Sequence, residues 1–95
     1  VALIALVNFT GQGIRNLKDS PDRLQAFKQL AEKAGVTVKS AYRTIGHHDL
    51  VVIVEGTHGA MTAVLLKVGS LGNIRTETLR GFPAGEFRRI LARIP

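Results

Sequence analysis

Residues 50–54 are five aliphatic side chains in succession, Leu50-Val51-Val52-Ile53-Val54, bounded by Gly46-His47-His48-Asp49 on one side and Gly56-Thr57 on the other. Alternate side chains of a strand point to opposite faces of its sheet, so an unbroken aliphatic run predicts a central strand that needs a cover on both sides. Residues 1–9, VALIALVNF, read as a second strand of the same kind. The remainder of the chain has to supply those covers.

Between these strands, Thr10 leads into Gly11-Gln12-Gly13, which reads as a flexible loop, and Ile14 and Leu17 suggest one helical turn. Ser20-Pro21-Asp22 has the grammar of a helix start, with serine at the cap, proline at the first helical position and an acid in the first turn. Leu24, Phe27, Leu30, Ala31 and Ala34 then share one helical face, opposite Lys28, Gln29, Glu32 and Lys33, and Gly35 closes the helix. Residues 36–45 alternate as a strand, with Val36, Val38, Ser40, Tyr42 and Thr44 on one side. Lys39 and Arg43 on the other side suit a sheet edge.

Residues 46–49 are short enough for a hairpin, which returns residues 50–55 antiparallel. A second helix follows from Gly56-Thr57, with the apolar stripe Ala60, Met61, Val64, Leu65 and Val68. Residues 73–82 read as a last strand and residues 83–94 as a terminal helix, in which Phe87, Ile90, Leu91 and Ile94 oppose Arg88, Arg89 and Arg93. The order is strand, helix, strand, strand, helix, strand. That order predicts an α+β fold, a ferredoxin-like βαββαβ plait: a four-stranded antiparallel sheet, helices on one face, and an extra C-terminal helix. The two aliphatic strands fall at its centre.

A chain of 95 residues allows one domain, residues 1–95, burying roughly two-thirds of its unfolded surface. With 45% apolar residues and a mean hydropathy of +0.15, it is apolar for so small a unit. The second sheet face therefore implies a homo-oligomer, a dimer or a ring of dimers packed sheet to sheet. There is no cysteine, which excludes disulfides and thiol chemistry and suits a reducing, cytoplasmic setting. No run is long enough to span a membrane, and VALIALV lacks a basic leader and a cleavage site. The net charge of +6 comes from scattered basic residues, with only Arg88, Arg89 and Arg93 clustered. This predicts a general attraction to anions without sequence-specific nucleic-acid recognition.

Three stretches resemble the GYD-domain family: the opening ALVNFTGQGIRNLKDSPDR, the Gly46-His47-His48-Asp49 turn at the family's glycine-x-tyrosine-aspartate position, and the ending GSLGNIRTETLRGF. His48 stands where that family usually has tyrosine. The resemblance implies a ferredoxin-like fold and carries no assigned activity. Residues 46–79 are also similar to the effector-binding domains of leucine-responsive regulators, which dimerise through their sheets and bind amino acids or similar molecules between subunits. That similarity implies a sensing module without the DNA-binding half.

Several residues are candidates for chemistry. His47, His48 and His58 are potential metal ligands, but neighbours in a strand point to opposite faces, so His47 and His48 do not readily share an ion. A turn histidine could act as a general base in a cofactor-independent monooxygenase, although no partner acid is evident. Asp49 and Gly46 have simpler roles in the turn, through a side-chain bond to nearby backbone and a positive backbone angle. Gly11-Gln12-Gly13-Ile14-Arg15 has the character of the phosphate loop of acylphosphatases, but the catalytic asparagine segment of that family is missing. RNA-recognition plaits stack bases on aromatics of the central strands, where this chain has only Phe9 at an end.

The sequence thus predicts a small-molecule-binding or sensing oligomer acting at a subunit interface, with His47, His48, Asp49, Thr76 and Thr78 as ligand-binding candidates. The alternatives are the monooxygenase-like enzyme and a structural subunit of a larger assembly. No cofactor, metal or catalytic residue is assigned.

Overall fold

The computed structural model describes every residue from Val1 to Pro95. Its elements are β1 (Ala2–Phe9), α1 (Gly11–Arg15), a 3₁₀ turn (Leu17–Asp19), α2 (Ser20–Lys33), β2 (Thr37–Arg43), β3 (Leu50–Glu55), α3 (His58–Ser70), β4 (Ile74–Gly81) and α4 (Ala84–Leu91). The four strands form one antiparallel sheet in the order β2-β3-β1-β4. This is the α+β ferredoxin-like plait, with the two aliphatic strands at the centre.

The core lies on one face of the sheet. Leu3, Ala5 and Val7 of β1 and Leu50, Val52 and Val54 of β3 are buried there against Ala31 of α2 and Met61 and Val64 of α3. Cross-strand partners share a face, and the register pairs Leu3 with Val54 and Ala5 with Val52. The other face carries Ile4, Leu6, Val51 and Ile53, which are only half-buried, and Leu79, which is exposed. The chain therefore covers its doubly aliphatic strands once. α4 does not supply the second cover: Phe87, Leu91 and Ile94 remain exposed. It is tethered to the end of β4 by Arg80, whose guanidinium meets Glu86 at 3.0 Å and stands 4.4 Å from the centre of the Phe82 ring.

Three local expectations are corrected. Gly11-Gln12-Gly13 is the first turn of α1 and not a flexible loop, because Thr10 caps it by accepting a hydrogen bond from the Gly13 N–H at 3.2 Å. Gly13 also permits close packing, since a β-carbon there would stand 2.1 Å from the Asn73 carbonyl oxygen. Ser20 is not a cap. The 3₁₀ turn runs straight into α2, so Ser20 already has helical backbone angles (φ −60°, ψ −38°), and its side chain is buried.

In β2 the simple alternation breaks at a bulge between Val38 and Ser40. Val38 pairs with Val54 and Ala41 with Val52, so both face the core, while Tyr42 pairs with Val51 on the open side and is 64% exposed. The extra residue, Lys39, lies at the sheet edge and meets Glu55 at 3.6 Å.

Candidate functional site

The β2–β3 turn is built into the end of β1 by a compact hydrogen-bond network. Asn8 Nδ2 donates to the His47 carbonyl at 2.6 Å, and Asn8 Oδ1 lies 2.9 Å from His48 Nδ1. An amide oxygen can only accept, so His48 carries its proton on Nδ1. Asp49 accepts from the Phe9 N–H at 2.9 Å through Oδ2, and its own N–H donates to the Val7 carbonyl at 2.8 Å. The Thr44 hydroxyl donates to the His48 carbonyl at 2.5 Å. Gly46 has φ of 142°, a backbone angle that favours glycine. The turn's polar groups are thus largely spent on structure.

Beside this turn, between the sheet and the two long helices, is an apolar cavity of about 200 Å³. Val7, Leu24, Phe27, Leu50, Leu65 and Val68 form much of its wall. The lining also includes Phe9, Ser20, Thr76 and the cations Arg23, Arg43 and Lys67, with no acidic residue. Alternation along β1 places Phe9 on the same face as Ala5 and Val7. Its ring carries both arginines, with the guanidinium carbons of Arg43 and Arg23 at 5.3 and 5.9 Å from its centre. Arg23 is also held by the Asn16 carbonyl at 2.7 Å and the Gly13 carbonyl at 3.4 Å.

Ser20 is 3% exposed, and its hydroxyl has no hydrogen-bond partner. A buried hydroxyl without a partner costs about 1–3 kcal/mol, so its presence in a mostly apolar wall calls for an explanation.

A model of the GYD domain matches residues 3–91. The chain belongs to the GYD-domain family. No curated protein sequence matches it. In this GYD domain the motif turn fastens the end of β1 through Asn8 and Phe9, and the aromatic ring of Phe9 belongs to the cavity.

The five ligand-binding candidates are not gathered into one site. Thr76 lines the cavity; His47, His48, Asp49 and Thr78 do not. Thr78 lies on the helix-side face of β4, paired with Ala5. The rings of His47 and His48 are 6.5 Å apart, and His58 begins α3. No three His, Asp or Glu residues come together as a metal-binding group. No helix is long and apolar enough to cross a membrane.

The cavity residues Phe9, Ser20, Arg23, Arg43 and Lys67 were not among the sequence candidates. The available signals were a helical i, i+3 pair, Ser20 and Arg23, and an arginine at the end of the edge strand. Neither signal distinguishes a cavity wall from a solvated surface.

Proposed function

We propose that this GYD domain is a small-molecule-binding module whose site is the cavity between α2, α3 and the sheet. The cavity itself carries the reading: it is apolar, bounded by a few convergent polar groups, and contains a buried hydroxyl without a partner. Binding sites for small molecules have this composition. Its titratable lining groups are Arg23, Arg43 and Lys67, so it favours binding over the histidine-based enzyme alternative. A thermal-shift series with 1-octanol as the probe tests the reading. The expected result is a rise in Tm that is lost in Val68→Phe, which fills the cavity while circular dichroism shows an unchanged fold. No rise in the parent protein, or an equal rise in the filled variant, overturns it.

A second reading concerns assembly. The aliphatic face formed by Ile4, Leu6, Val51, Ile53 and Leu79 has no cover within the chain, which favours a homo-oligomer packed through the sheet. Native mass spectrometry tests this directly, and a monomer at micromolar concentration removes it.

A further inference from the structure

We infer that the cavity selects an amphipathic anion: a medium-chain organic acid whose apolar tail lies under α2 and α3 and whose carboxylate meets Arg23, Arg43 and Ser20. The inference rests on the reading of the cavity as a binding site and adds the class of its ligand.

Charge is the first argument. Arg23, Arg43 and Lys67 are the only charged residues in the lining, and none is paired with a carboxylate. The two ion pairs of the protein, Lys39 with Glu55 and Arg80 with Glu86, lie elsewhere. Arg23 and Arg43 both stand against the Phe9 ring, and no acidic side chain in the lining offsets their charge. A carboxylate supplies the missing negative charge and matches the planar, forked donor geometry of guanidinium groups. The carbonyls of Asn16 and Gly13 hold Arg23 in place without neutralising it.

Ser20 supplies the second argument. It precedes Arg23 by one helical turn, so both side chains lie on the same side of α2. The unpartnered hydroxyl is a donor with no acceptor in the protein, and an anionic head beside Arg23 provides one.

The third argument is size and polarity. A cavity of about 150 Å³ lined by aliphatic and aromatic side chains admits benzene, so this one at about 200 Å³ suits a tail of about six to eight carbons. Its aliphatic wall disfavours a wholly polar anion such as inorganic phosphate.

Calorimetric titration at low salt with octanoate, 1-octanol and acetate, supported by amide chemical shifts of the cavity residues, tests the inference. Octanoate is expected to bind at least about tenfold more tightly than octanol, with an affinity that falls as salt rises. Arg43→Gln, at an exposed position, is expected to weaken octanoate severalfold and leave octanol unchanged. Equal binding of octanol and octanoate overturns the anion inference while leaving the cavity as a binding site. Binding of octanol alone does the same. Acetate binding as tightly as octanoate reduces the site to a surface anion contact and overturns the amphipathic class. If neither long-chain probe shifts the cavity resonances, the binding-site reading falls with the inference.

Discussion

The Phe9 N–H donates to the Asp49 carboxylate across 2.9 Å, joining the end of β1 to a turn 40 residues further along the chain. This bond links the motif turn to the cavity, because the Phe9 ring is the platform on which Arg23 and Arg43 rest. Removing the acceptor leaves a partly buried N–H unpaired. Asp49→Ala is therefore expected to lose about 1–3 kcal/mol in urea unfolding, and Asp49→Asn, which keeps a carbonyl oxygen, distinctly less. Equal losses in the two variants would show that the charge, not the acceptor geometry, is what matters.

Gly13 and Gly59 should respond oppositely to alanine. A β-carbon at Gly13 meets backbone, the Asn73 carbonyl oxygen, at 2.1 Å, and neither partner is a flexible side-chain tip. Gly13→Ala is expected to cost at least about 2 kcal/mol and to loosen the contact between α1 and the turn before β4. At Gly59, in the first turn of α3, a β-carbon meets nothing within 4 Å. Gly59→Ala is expected to stabilise by up to about 1 kcal/mol through the lower entropy of its unfolded state. Thermal unfolding of the pair checks both signs.

Ser20 separates a packing role from a binding role. Replacing an unpartnered buried hydroxyl with a methyl group removes its desolvation cost, so Ser20→Ala should leave the free protein as stable as before, or more stable by up to about 1 kcal/mol. The same variant is expected to bind octanoate more weakly than the parent. A stabilised variant with unchanged octanoate affinity would assign Ser20 to packing alone.

The open sheet face makes a prediction about assembly. Ile53 pairs with Ile4 on that face, away from the core formed by Val52 and Val54. Ile53→Lys is expected to keep the fold, because the lysine projects from the uncovered side, and to convert an oligomer into monomers in native mass spectrometry. An oligomer of unchanged size would place the contact elsewhere, with the exposed stripe of Phe87, Leu91 and Ile94 as the next surface to alter.

The plait was legible because apolar periodicity and turn chemistry are local. The runs around Leu3 and Val52 read as central strands, and Gly46 takes the positive backbone angle expected of it, whereas the Asp49 carboxylate bonds the Phe9 N–H 40 residues away and not the nearby backbone that local turn chemistry predicts. Local reading failed where a neighbouring element changed the context. The 3₁₀ turn before α2 carried Ser20 past the capping position, a bulge at Lys39 exchanged the faces of β2, and Thr10 turned a glycine-rich loop into a helix.

By itself the sequence determined strand order and the central position of the two aliphatic strands, because both follow from which side chains must leave water. Only the tertiary structure decided which residues line the cavity. Phe9, Ser20, Arg23, Arg43 and Lys67 lie on four separate elements, and their convergence depends on the strand register, on the bulge in β2 and on how the helices pack across the sheet. No pattern along the chain encodes that spacing, since a wall residue and a surface residue obey the same periodicity until the elements are packed together.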